Sequence, residues 1–150
     1  MANKLLVALA VMCIFGAAVV RGEFDKAQAI EKLKTKAEEC KSEVGATDVD
    51  IEELVGRKPA STMEGKCLRA CLMKKFEVMD ASGKFATEVA LKHAEKVTDG
   101  NADKMKVASE IINACANIEV SSDPCQAAED YGKCFKQQAN AHGINEHYEY

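Results

Sequence analysis

Lys66-Cys67-Leu68-Arg69-Ala70-Cys71-Leu72-Met73-Lys74-Lys75-Phe76-Glu77-Val78-Met79 is the stretch from which the fold can be worked out. Leu68, Leu72, Phe76 and Met79 recur at three- and four-residue steps, and Arg69, Lys74, Lys75 and Glu77 fall on the other side, the pattern of an amphipathic helix. Cys67 and Cys71 are four apart on it, which puts their Cβ atoms about 5–6 Å from each other. A disulfide needs roughly 3.5–4.5 Å. Neither can pair with the other, so both must bind this helix to other parts of the chain.

The same periodicity continues on both sides. Ala27, Ile30, Leu33, Ala37 and Cys40 form the apolar side of an earlier helix that Gly45 ends. A short helix is expected near Asp48 to Val55, with Asp50 and Glu53 at capping-box spacing and Gly56 as a left-handed stop. After the turn Asp80-Ala81-Ser82-Gly83, a fourth helix carries Phe85, Val89, His93 and Val97 on one face. Beyond Asp99-Gly100-Asn101, Met105, Ala108, Ile111, Ile112 and Cys115 mark the core side of a fifth. The last has Asp123 as cap, Pro124 in the first turn and Gln126 three residues after the cap; it runs to about Gln138 and buries Ala128, Tyr131, Cys134 and Phe135. No alternating pattern is long enough for a strand. The expected fold class is all-α, a compact bundle of about six helices.

The amino terminus reads as a secretory signal. Lys4 precedes an uncharged apolar run, Leu5 to Val20, which ends at Arg21. The run is short of the about 20 residues that span a bilayer, so stable membrane insertion is not expected. Cleavage after Gly22 places Val20 and Gly22 at the small-residue positions; cleavage after Ala18 is the alternative. The expected division is a signal peptide over 1–22 and one helical domain over 23–150, with 139–150 as its tail. The mature chain then holds 18 basic and 24 acidic residues, a balance that argues against nucleic acid as a partner. Cys13 leaves with the signal, and the six remaining cysteines, Cys40, Cys67, Cys71, Cys115, Cys125 and Cys134, imply disulfides in a secreted, extracellular protein. Cys125 and Cys134 lie nine apart on one helix, about 13 Å at 1.5 Å per residue, and cannot pair either. Of roughly 15 pairings of six cysteines, about ten survive these two exclusions.

The cysteine spacing, with three residues between Cys67 and Cys71 and eight between Cys125 and Cys134, resembles the six-cysteine pattern of insect odorant-binding proteins. The likeness covers nearly the whole mature chain. It implies pairing of Cys40 with Cys71, Cys67 with Cys125 and Cys115 with Cys134, and an apolar cavity enclosed by the helices. The function that follows is reversible carriage of small hydrophobic ligands such as odorants, pheromones or other semiochemicals, with a chemosensory receptor as a further partner. Candidate ligand-contacting residues are Leu68, Leu72, Phe76, Met79, Phe85, Val89, His93, Met105, Ile111, Ile112 and Phe135. Each alone also suits an ordinary core. His93, on the apolar face of its helix, could donate a hydrogen bond to an alcohol, aldehyde or ester, or be satisfied by backbone.

No catalytic motif, metal-ligand cluster or cofactor-binding loop stands out, so neither an enzyme nor a cofactor is expected. A secreted phospholipase would need a His-Asp pair and a calcium loop, neither recognisable here. A receptor-binding helical signalling protein is the competing function, with a solid core and no probe binding. The tail from Asn140 to Tyr150, with His142, His147, Ile144, Tyr148 and Tyr150, is a candidate pH-sensitive lid: a histidine buried neutral would favour closure at higher pH, and an ion pair to Glu146 or Glu149 would reverse the sign.

Overall fold

The computed structural model describes residues 26–144; the expected signal segment and the tail end with His147, Tyr148 and Tyr150 lie outside them. Among the described residues there are six helices and no strand longer than a single bridge: α1 (Lys26–Val44), α2 (Asp48–Val55), α3 (Met63–Lys75), α4 (Thr87–Val97), α5 (Ala102–Ala116) and α6 (Pro124–Ala141). α3 is central. It packs most extensively on α6 and next on α1.

Helix starts follow local chemistry. Thr62 caps α3, its hydroxyl accepting from the Gly65 N–H at 2.9 Å, and Asn101 caps α5 by accepting from the Lys104 N–H at 3.0 Å. Asp123 caps α6, with Pro124 in its first turn as expected. Gln126 does not complete a box there: its amide donates to Asp130 and accepts from Lys66. Ahead of α2 the cap is Thr47 rather than Asp50. The Asp50 carboxylate reaches back to the Thr47 N–H at 2.8 Å and to its hydroxyl at 3.0 Å, so Asp50 is the third helical residue of the motif. The left-handed stop after α2 falls on Arg57 (φ 53°), while Gly56 keeps an ordinary negative φ.

Two expected helical extents are shorter in the structure. α3 ends at Lys75, because Glu77 takes a left-handed conformation (φ 61°) and turns the chain. Met79 therefore lies outside the helix and forms an antiparallel bridge with Phe85, which precedes α4. The intervening turn closes on Asp80, whose Oδ1 accepts from the N–H groups of Ser82 and Lys84 and from the Ser82 hydroxyl. Gly83 is obligatory there: its φ is 87°, and a Cβ would stand 3.2 Å from the Pro124 backbone. Val97, expected on the apolar face of α4, is exposed.

The three disulfides join Cys40 of α1 to Cys71 of α3, Cys67 of α3 to Cys125 of α6, and Cys115 of α5 to Cys134 of α6. These are the pairs that the family resemblance implies. They link helix to helix in a chain from α1 through α3 and α6 to α5. The core is divided in two. One cluster, Ala37, Cys40, Ala46, Leu68 and Leu72, lies where α1, α2 and α3 meet. The other, including Ala70, Met79, Phe85, Ala90, Ile112, Ala127, Ala128 and Tyr131, joins α3 to α4, α5 and α6. Phe85 is its aromatic centre, with ring centroids 5.3 Å from Tyr131 and 5.5 Å from Phe135.

Candidate binding groove

Where the two clusters face one another they leave a half-open groove of about 730 Å³, within the range typical of small-molecule sites. One wall comes from the first cluster, with Leu54 of α2 and Leu72 and Phe76 at the end of α3, and is extended by the exposed Leu33 of α1. The other comes from the second, with Met73, Val78, Ala128 and Phe135. Ala139 and Ile144 continue it along the end of α6. The wall combines buried members of the two cores, Leu72 and Ala128, with partly buried residues packed against them, Leu54, Phe76, Met73, Val78 and Phe135. Met73 adds a thioether able to adapt to ligands of differing shape.

The mouth is polar and well built. Segment 57–60, between α2 and α3, is tied to α6 by two hydrogen bonds. The Ala60 N–H donates to Glu129 Oε1 at 3.0 Å, and Lys136 Nζ donates to the Arg57 carbonyl at 3.3 Å. Arg69 of α3 pairs with Glu129 Oε2 at 2.9 Å and also donates to the Lys58 carbonyl. Both partners of that ion pair are mostly shielded from solvent, where charge-assisted hydrogen bonds gain strength. Beneath this corner Asp50, 2% exposed, accepts from the hydroxyls of Thr47 and Thr62 and from the Thr47 N–H. The Thr62 hydroxyl bond first, then the Thr47 N–H, hold the Asp50 carboxyl below its ordinary pKa against the opposing effect of burial.

Of the residues singled out from the sequence, Leu72, Phe76 and Phe135 line the groove. Leu68 is wholly buried inside the first cluster, and Met79, Phe85 and Ile112 lie inside the second. Val89, Met105 and Ile111 are half-buried on α4 and α5 and do not line this groove. His93 stands with its edge to the Phe76 ring, and its Nε2 donates to the Phe76 carbonyl at 3.0 Å, capping the end of α3. It is thereby satisfied by backbone. Ile144, part of the expected lid, lines the groove, and His142 faces Glu110 of α5 at 3.8 Å. Periodicity did not single out segment 57–60; Pro59 between basic residues and the next helix was the available signal. Among the described residues no group of histidine, cysteine and carboxylate side chains is arranged to hold a metal ion.

Comparison with known proteins adds to the geometry. The model of the PBP/GOBP family matches residues 23–138. General odorant-binding protein 28a of Drosophila melanogaster is 48% identical over 136 residues, covering 91% of this chain and 94% of that protein. General odorant-binding protein 19d of the same fly is 41% identical over 108 residues, 72% of each chain. The solved structure of the 28a protein superposes with a TM-score of 0.73 and covers 81% of this chain and all of its own.

Proposed function

The chain belongs to the PBP/GOBP family, the insect odorant-binding proteins, and we infer that it carries its small hydrophobic ligand in the groove between α1, α3 and α6. The observation that supports this placement is the apolar wall from Leu33 and Leu54 to Phe76 and Phe135, left unfilled between two packed clusters. A ligand burying about 300 Å² of apolar surface gains roughly 7–8 kcal/mol. Ordering costs leave affinity in the micromolar neighbourhood, which suits reversible carriage.

The same reading makes residues 1–22 a signal peptide removed on secretion. The family match beginning at residue 23 supports cleavage after Gly22, and no described helix is long and apolar enough to cross a membrane. The family consists of carriers, so the role assigned is binding without catalysis, with hand-over to a chemosensory receptor as its extension. Titration of the secreted protein with an apolar naphthylamine fluorophore tests the carrier role. Saturation at one probe per chain, reversed by an alcohol, aldehyde or ester of moderate size, is expected. A probe signal that does not saturate and is not displaced would contradict it.

A further inference from the structure

Helix α4 contributes no residue to the groove lining and carries no cysteine, yet it holds two residues of the groove wall by their backbone. The Ala86 N–H, at its start, donates to the Val78 carbonyl at 2.8 Å, and further along the helix the His93 Nε2–H donates to the Phe76 carbonyl at 3.0 Å. Any residue but proline at position 86 supplies the first bond. Only a side chain of the right reach supplies the second. The Phe76 carbonyl needs it, because α3 ends at Lys75 and Glu77 turns left-handed (φ 61°), so that no further helical turn follows. The N–H four residues on, that of Asp80, donates to the Lys84 carbonyl instead.

The ring contact extends this hold to the Phe76 side chain. Imidazole and phenyl meet edge to face, with centroids 6.4 Å apart and planes at 88°, an arrangement that aromatic rings favour. Phe76 lines the groove and His93 does not. α4 is seated on α5 and in the second cluster, through Ala90, Leu91 and Ala94, whereas Phe76 packs against the first. The hydrogen bond therefore runs from the helix of one core cluster to a wall residue of the other. We propose that His93 is a positioning residue of the binding site, which sets the shape of the groove by fixing Phe76 and makes no contact with the ligand. The proposal rests on the carrier reading and gives the groove a determinant outside its own lining. A wall residue held in place before binding spares the ligand the cost of ordering it, so loss of the N–H donor is read as weaker binding.

The test is titration of the mature protein and its variants with an apolar naphthylamine probe, at a temperature where all are folded. His93→Phe keeps a ring and lacks the donor; His93→Gln keeps a donor of similar reach and lacks the ring. Affinity is expected to fall about two- to tenfold in His93→Phe, the span that one net hydrogen bond is worth, and to stay within about twofold of the parent in His93→Gln. Where the larger ring prevents folding, His93→Ala takes its place with the same expectation. Leu91→Ala, which loosens the seat of α4 in the second cluster, should leave affinity unchanged however far it lowers the melting temperature. With Phe76 already replaced by alanine, the effect of His93→Phe should all but vanish, because the two residues act as one unit. Parent-like affinity in the donor-less variant, an equal fall in His93→Gln or Leu91→Ala, or an undiminished fall in the Phe76→Ala background would each overturn the proposal. A parent that binds no probe, or a Phe76→Ala variant that binds it as tightly as the parent, would instead overturn the carrier reading and its groove.

Discussion

Asp50 and Gly65 meet at the amino-terminal ends of α2 and α3 so closely that a Cβ on residue 65 would lie 2.8 Å from Asp50 Oδ1. The glycine there has ordinary helical backbone, so it is space rather than conformational freedom that the position demands. The carboxylate cannot move aside, because Thr47 and Thr62 hold both of its oxygens. Gly65→Ala is therefore expected to destabilise the fold by about 1–3 kcal/mol, the usual cost of overpacking, despite alanine's better helix propensity. A denaturant midpoint equal to or above that of the parent would contradict it.

The same carboxylate sets an acid limit on stability. Its folded pKa is depressed below the ordinary 3.8, so its contribution is complete above that value and is lost as pH falls toward the folded pKa. Asp50→Asn should thus lower the melting temperature at neutral pH, with a gap to the parent that narrows on acidification below about pH 4. Thermal scans of both proteins across that range decide it. A gap independent of pH would mean that the charge on Asp50 contributes nothing.

The disulfides differ in the loops they close. Separations of 58, 31 and 19 residues for Cys67–Cys125, Cys40–Cys71 and Cys115–Cys134 correspond to roughly 4.2, 3.7 and 3.2 kcal/mol in the chain-entropy description. Replacing each pair by alanine should lower stability in that order. Calorimetry of the three double variants measures the ranking, and a largest loss from Cys115–Cys134 would point to native-state strain or packing as the dominant effect.

The groove wall provides its own comparison. Met73→Ala removes apolar surface from the wall, whereas Lys74→Ala alters a neighbouring side chain of the same helix that does not line the groove. Probe affinity is expected to fall about four- to fifteenfold in the first, the worth of one or two buried methylenes, and to hold in the second. The reverse pattern would show that the faces of α3 have been assigned wrongly.

Much of the architecture was legible in the sequence, and the losses have physical causes. Helices α1, α2, α5 and α6 stand where apolar periodicity and caps placed them, because burial of one face dictates that pattern. The end of α3 did not, since Phe76 and Met79 continue its period without the glycine or proline that would mark the left-handed turn at Glu77. Periodicity also identifies inward-facing residues without distinguishing the centre of a core from its edge. Leu68 and Leu72 look alike in the sequence, yet Leu68 is enclosed and Leu72 borders the groove. That distinction arises from two clusters meeting incompletely, a tertiary property. Segment 57–60 has no period at all, so its role at the mouth emerged only from its hydrogen bonds to α6.

The most direct measurement of where the ligand sits is a crystal structure with a bromine-bearing apolar ligand, located by the bromine's anomalous signal. The account predicts one peak in the groove, in contact with Leu72, Phe76 and Phe135. A peak enclosed instead by Val89, Met105 and Ile111, between α4 and α5, would contradict it.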